Sequence, residues 1–291
     1  MTKTAKRARS VICTVLSFLL SLFVTLSVAC AALGLTALNP NFAVKTAARS
    51  QYSEHLAAEL KEEFVSYGNA CNIDETFFDA VFTNTVTPAK IDADTETVLR
   101  EFYAGEVKDG VHTDELRDAL LSDLCKYAQD KGYAVEQTEG NEMYDNLVTI
   151  SEELCDIYNA YVSVFSMSVF KTASRMLATY RPYAWYGAAA GAVLFSITAV
   201  LLRLYYQKKK NYLRFFIYGF SSSALMLAVG PAVALCMRIG NNINIASASL
   251  YDFATGMLNG VLLAVLLSAL VPALITVLLV FVRKNAVKNN K

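Results

Sequence analysis

Four stretches of this sequence are mostly apolar and contain no Asp, Glu, Lys, Arg or His. They are Val11–Thr36, Trp185–Leu202, Phe215–Met237 and Leu258–Val282. A helix rises about 1.5 Å per residue, so about 20 residues cross a hydrocarbon core of about 30 Å. The sequence therefore predicts an all-α integral membrane protein with four transmembrane helices.

Basic residues next to these stretches predict their orientation. Half of the 26 basic residues lie before the first stretch, between the second and third, or after the fourth, and none of the 26 acidic residues lies there. Cytoplasmic segments of membrane proteins carry this excess of Lys and Arg. We therefore expect a plasma-membrane protein with both termini in the cytoplasm.

The resulting organisation places one large segment outside the cytoplasm. Residues 37–182 contain 25 of the 26 acidic residues and 12 basic ones, a balance near −13 that disfavours nucleic acid and anionic lipid as partners. The predicted segments are a tail (1–10), span 1 (11–36), the extracytoplasmic helical domain (37–182), span 2 (183–204), a basic loop (205–214), span 3 (215–237), an outer loop (238–257), span 4 (258–282) and a tail (283–291).

The first span also has features of a secretory signal, because basic residues precede it and Ala29, Cys30 and Ala31 form a small-residue site. Its apolar run is longer than a signal core, and Ser27 stands where a lipoprotein signal has a branched apolar residue. We therefore predict an uncleaved signal anchor.

Helical periodicity continues through residues 37–182. Apolar residues recur every three or four positions, for example Tyr52, Leu56, Leu60, Phe64 and Tyr67, and no long stretch alternates with period two. The predicted caps are Ser50, Asp74, Thr87 followed by Pro88, and Thr113, and the predicted ends are Gly68, Gly105 and Gly132.

A heptad-like pattern follows from Asn141. Its members are Leu147, Ile150, Leu154, Ile157, Tyr161 and Val164, which predict a helix that packs along its length within a bundle. We expect this helix to reach the membrane at Arg181-Pro182. There it would either kink and continue, or end near Tyr180 so that span 2 begins at Pro182.

Groups able to perform chemistry are scarce. The spans lack ionisable residues, which counts against proton pumps and ion-coupled transporters. The two histidines, His55 and His112, are predicted to lie at exposed helix positions. Asp92, Asp94 and Glu96 resemble the start of a calcium loop, but Thr97 replaces the required Gly, so a solvated helix face is expected. The sequence identifies no catalytic, cofactor-binding or metal-binding residue.

Cysteines and small residues have structural interpretations. Cys71, Cys125 and Cys155 lie in the outer segment, where at most one internal disulfide is possible, and we expect none to form.

Gly187 and Gly191 form a G-x-x-x-G motif in span 2. They favour close packing inside the bundle over homodimerisation.

The layout resembles that of uncharacterised four-span membrane proteins of Gram-positive bacteria. The similarity includes the segments 74–82 and 98–105, but it supplies no activity or functional residue. We therefore expect a non-enzymatic binding, scaffold or sensor protein that uses its outer domain to bind a protein or envelope component. The alternatives are a membrane-embedded enzyme acting on lipid or lipoprotein through His55 or His112, and a small-solute channel.

Overall fold

The computed structural model of the chain describes residues 3–107, 111, 113–135, 141–205 and 209–288. All of the regular secondary structure in these residues is helical, which confirms the predicted all-α fold. The α-helices are α1 (Lys3–Leu35), α2 (Pro40–Arg49), α3 (Tyr52–Ala70), α4 (Glu75–Asn84), α5 (Pro88–Ala104), α6 (Asp114–Asp130), α7 (Glu142–Val162), α8 (Ser168–Tyr205), α9 (Lys209–Cys236), α10 (Ala248–Ser268) and α11 (Leu270–Lys288). Short 3-10 turns occur at Val164–Ser166 and Ile239–Asn242.

The chain divides into two compact units. The span unit comprises Met1–Phe42, Thr179–Ile243 and Met257–Lys291, and the inserted unit comprises Ala43–Ala178 together with Asn244–Gly256. The segment Asn244–Gly256 was expected to form part of a simple loop between spans. The structure instead includes it in the inserted unit, and its second half is the first part of α10.

Within the part of the chain that the structure describes, four helical stretches are long and apolar enough to cross a bilayer: Ser10–Leu35, Ser168–Tyr205, Tyr212–Cys236 and Ala248–Asn285. They overlap the four stretches found in the sequence, and the chain is a multi-pass membrane protein. The last stretch contains α10 and α11, which are separated at Ala269. This break lies three residues before Pro272, whose nitrogen has no hydrogen to continue the helical ladder.

Small residues bring the helices of the span unit together. A Cβ added to Gly187 would lie 3.0 Å from Cys30 Sγ, and one added to Gly191 would lie 2.9 Å from Ser27 Cβ. Ser27 Oγ also donates a 2.8 Å hydrogen bond to the Ala188 carbonyl. The G-x-x-x-G face of α8 therefore packs against α1, which confirms the prediction of close packing within the bundle.

Helix α9 completes this packing. It lies against both α1 and α11, and Gly219 of α9 faces Leu20 of α1. Ser17 Oγ donates to the Phe215 carbonyl at 2.7 Å, and Thr25 Oγ1 lies 3.0 Å from Ser223 Oγ. These bonds satisfy hydroxyl groups where hydrocarbon offers no partner.

The inserted unit is a bundle in which α3 packs against α4, α5 and α7, and α6 packs against α7. Tyr52, Leu56, Leu60 and Phe64 of α3 are buried, as their spacing predicted, and Tyr67 is half-buried. The predicted end at Gly68 is wrong, because α3 continues to Ala70. A side chain at position 68 would collide with the Phe78 ring, so the position requires glycine for close packing.

The predicted helix ends have mixed outcomes. Thr87 caps α5 by accepting a bond from the Lys90 N–H, and Gly105 ends α5 with φ +80°, both as expected. Asp74 and Thr113 stand at cap positions without a side-chain cap bond. Gln51, in the left-handed conformation, replaces the predicted Ser50 as the cap of α3.

The helix with the heptad-like pattern does not reach Pro182. Helix α7 ends at Val162, a 3-10 turn follows, and α8 begins at Ser168 and includes Pro182 within its length. The alternative in which a helix starts at Pro182 is therefore wrong, and the continuous helix begins much later than expected. Phe165 in the turn is buried and packs against the rings of Phe102, Phe170 and Phe253. The burial of this side chain is the physical cause of the break between α7 and α8.

Candidate functional site

A cleft of ≈ 510 Å³ opens in the inserted unit, between the C-terminal end of α3 and the helices α6 and α7. Ile73, Leu124 and Leu147 are buried at its base, whereas Tyr133 is 60% exposed and forms part of its rim. The other lining residues are Cys71, Asn72, Tyr127, Ala128, Met143, Asn146, Thr149 and Ile150. The volume falls within the range of about 300–1,000 Å³ that is typical of small-ligand sites.

A tight turn after α3 forms one side of the cleft. The Cys71 and Ile73 N–H groups both donate to the Gly68 carbonyl at 2.9 Å, and Asn72 has φ +58°. Asparagine tolerates this left-handed conformation better than most residues. The turn directs the chain from α3 towards α4, and it buries Ile73 while leaving Asn72 exposed.

A polar network fixes Tyr127 of α6 at the cleft. Its hydroxyl donates to Asp74 Oδ2 at 3.0 Å and accepts from the Asp74 N–H at 3.0 Å. Lys131 Nζ donates to the same carboxylate. The hydrogen bonds from Lys131 and Tyr127 lower the pKa of Asp74, and the bond from the carboxylate raises the pKa of Lys131. Both groups therefore keep their charges near neutral pH and hold the tyrosine in place.

All six cysteines are free thiols in the structure. Cys125 and Cys155 are buried, and burial raises the pKa of both thiols, that of Cys155 to about 11. Such thiols are poor nucleophiles at neutral pH. Cys71, which lines the cleft, is partly exposed and offers a chemical probe of this surface.

The lining of the cleft suits binding better than catalysis. Among the residues that the structure describes, it contains apolar side chains, amides, a threonine, two tyrosines and a thiol, and no carboxylate, imidazole or basic group. Hydrolytic enzymes generally require a nucleophile, a base and an oriented polar group in one site. Apolar binding sites with a few polar groups require none of these.

His55 lies elsewhere in the inserted unit, beside Asp252 of the segment Asn244–Gly256. Its Nδ1 atom is 2.9 Å from Asp252 Oδ2, but without the alignment of a hydrogen bond. Sequence reasoning missed Asp252, because it lies almost 200 residues away in the presumed loop. His112 lies outside the residues that the structure describes.

The nearby serines bind Glu59 of α3. Ser247 Oγ donates to the Glu59 carboxylate at 3.0 Å, and the Ser249 N–H and Oγ donate to it at 3.1 and 2.9 Å. Ser247 Oγ also accepts from the Leu250 N–H, so Ser247 caps α10. Glu59 is thus an acidic group at the positive end of α10, where helix N–H groups lack partners.

The acidic residues that resembled a calcium loop have separate roles on α5. Asp92 accepts from Ser53, and Glu96 pairs with Arg100 one turn away. Asp94 accepts a 2.5 Å hydrogen bond from the buried Tyr158 and is mostly buried itself, so its expected position on a solvated face is wrong. Among the described residues, no three His, Cys, Asp or Glu side chains are arranged to hold a metal ion.

No known protein family, no curated protein and no solved structure matches this chain.

Proposed function

We propose that this protein is a non-enzymatic binding protein of the plasma membrane, which captures a protein or envelope component in the cleft of its inserted unit. The observation that carries the proposal is the cleft itself. Its apolar base can bury part of a ligand, and Asn72, Asn146 and Thr149 provide exposed hydrogen-bonding groups around it. The span unit serves as the anchor.

An extracytoplasmic position of the inserted unit is part of this proposal. It is supported by the basic residues beside the spans and by the acidic balance of residues 37–182. Because Cys236 is exposed as well as Cys71, the test uses a Cys236→Ser background. There, a membrane-impermeant maleimide applied to intact cells should label Cys71, and the label should disappear when Cys71→Ser is added. In that background, Lys284→Cys should be labelled only after permeabilisation. Labelling of Lys284→Cys in intact cells would contradict the orientation.

Two helices provide a route for a binding signal. Helices α8 and α10 each begin in the inserted unit and continue into the span unit, α8 with Pro182 within its length. A change at the first turns of either helix would thus act on a segment that is continuous with a membrane span. We include a sensory role in the proposal on this ground.

Photo-crosslinking in the native host tests capture at the cleft. With benzoylphenylalanine at Tyr133 of the full-length protein, we expect a specific adduct with the bound component. Thr149→Trp should abolish the adduct, because Thr149 is an exposed lining residue and the indole would fill part of the cleft.

Thr97→Trp is the matched control for this experiment. Thr97 is also an exposed helical threonine, and each hydroxyl donates a 3.0 Å bond to the carbonyl four residues earlier. Thr97 lies on α5 and does not line the cleft. Equal adduct formation in the two tryptophan variants would contradict binding in the cleft.

The enzymatic alternative gains one residue from the structure. Asp252 lies where an acid could orient His55. The serine hydroxyls closest to Asp252 in sequence, those of Ser247 and Ser249, instead donate to Glu59. A histidine and an acid without an activated nucleophile do not form a hydrolytic site, so binding remains the function that we favour.

A further inference from the structure

Helix α7, which forms one wall of the cleft, is strongly acidic. It contains five carboxylates and no basic residue, and all five are exposed: Glu142, Asp145, Glu152, Glu153 and Asp156. None of them has a basic partner within 4 Å among the residues that the structure describes. The basic residues of the neighbouring helix α6 form their ion pairs elsewhere, since Arg117 pairs with Asp118 and Lys126 with Asp123, and Lys131, which follows α6, pairs with Asp74. Arg117 also has an attractive interaction with the charge of Glu152.

Three of these carboxylates share a helix face with cleft-lining residues. Glu142 lies four positions before Asn146, and Asp145 and Glu153 lie four positions before and after Thr149. Residues four apart on a helix are neighbours on its surface. The uncharged cleft is therefore bordered along α7 by unneutralised negative charge.

We propose that the ligand is a cationic amphipathic peptide segment of a partner protein, a proposal that rests on the cleft being the binding site. An apolar side chain of the segment would occupy the base formed by Ile73, Leu124 and Leu147. The amides of Asn72 and Asn146 can both donate to and accept from a peptide backbone. Lysine or arginine side chains would lie along α7.

The charge pattern distinguishes this ligand from other apolar molecules. The carboxylates of α7 would repel an anionic lipid, and they would add no binding free energy for a neutral acyl chain. A cationic segment gains from their summed field, which accelerates association and selects against acidic competitors. Charge complementarity therefore favours the cationic peptide.

Fluorescence anisotropy with defined peptides tests the proposal. The full-length protein is placed in phosphatidylcholine nanodiscs, and binding is measured for a labelled Lys/Leu amphipathic helix and for the same peptide with Gln in place of Lys. Empty nanodiscs give the background. We expect the Lys/Leu peptide to bind about tenfold more tightly at low salt. The difference should vanish near 1 M salt, where the Debye length is about 3 Å.

Two sets of variants localise the effect. The triple change Glu142→Gln, Asp145→Asn and Glu153→Gln should weaken Lys/Leu binding about tenfold and leave Gln/Leu binding unchanged. The control triple changes the same net charge at exposed positions away from this face: Glu62→Gln, Glu75→Gln and Glu115→Gln. It should leave both affinities close to those of the unmodified protein.

The outcomes separate the ligand class from the cleft. If both peptides bind equally and Thr149→Trp abolishes the binding of both, the cleft is a binding site but the cationic ligand is wrong. If the α7 triple variant and the control triple variant weaken Lys/Leu binding equally, the net charge of the protein explains the binding rather than the carboxylates of α7, and the proposal is again overturned. If Thr149→Trp binds the peptides like Thr97→Trp, both the ligand class and the cleft as their site are wrong.

Discussion

Replacing Gly191 with leucine is expected to separate α8 from α1 and to destabilise the span unit by about 1–3 kcal/mol, the usual cost of overpacking. A Cβ at this position would lie only 3.0 Å from the Phe23 carbonyl oxygen and from the Ser27 nitrogen. Both are backbone atoms, so the conflict cannot be relieved by rotating a side chain. The adjacent bond from Ser27 Oγ to the Ala188 carbonyl would also lengthen.

Trp185 provides the measurement because it is the only tryptophan of the chain. A Cβ added to Gly34 of α1 would lie 3.4 Å from the Trp185 ring, so the indole rests on that part of α1. In detergent micelles, we expect Gly191→Leu to shift the Trp185 emission and to lower the midpoint of thermal unfolding.

Ala190→Leu on α8 is the matched control for this change. Ala190 is exposed and lies next to Gly191 on the same helix, and leucine is a strong helix former. We expect this variant to unfold no earlier than the unmodified protein. If Gly191→Leu behaved in the same way, α8 would not depend on close packing against α1.

The membrane part of the fold could be predicted because the bilayer imposes a simple rule. Apolar stretches of about 20 residues must form helices there, so composition alone identifies them. The helix ends were less predictable. Helix α10 begins ten residues before the stretch that starts at Leu258, since hydrogen bonding continues into the polar segment where hydropathy gives no signal.

Pro182 shows why a strong local signal can mislead. The proline removes one hydrogen bond from α8, a cost that a helix of 38 residues tolerates. The real break at 163–167 contains no proline or glycine. It results from the burial of Phe165 among aromatic rings, including Phe253, more than 80 residues away.

The candidate site was predictable only in its parts. Spacing identified Leu147 as a packing position, and this residue is buried at the base of the cleft. The cleft itself forms where α3, α6 and α7 meet. Periodicity predicts the buried face of each helix but not the space left between helices that are distant in sequence. The acidic balance of the domain was visible in the sequence, but its concentration beside the cleft on α7 required the structure.

Replacing Glu59 with alanine is expected to release the segment Asn244–Gly256 from α3 at a cost of about 2–3 kcal/mol. The carboxylate accepts from two serine hydroxyls and from the Ser249 N–H at the first turn of α10. Hydrogen bonds to charged groups contribute about 1.5–3 kcal/mol each, and the partial exposure of Glu59 reduces their sum.

Hydrogen exchange of the full-length protein in nanodiscs measures this release. In Glu59→Ala, amides at 248–256 should exchange about 30- to 150-fold faster, as 2–3 kcal/mol corresponds to these factors. Glu59→Gln, which retains one acceptor oxygen without the charge, should give a smaller increase. The matched control is Glu62→Ala, which changes an exposed glutamate of the same helix and should alter stability by less than about 0.5 kcal/mol.

Unchanged exchange at 248–256 in Glu59→Ala would show that apolar packing alone holds this segment. Phe253 is buried and contacts the rings of Tyr52 and Phe165, so that packing is substantial. Increased exchange would instead show that a carboxylate on α3 controls the first turn of α10.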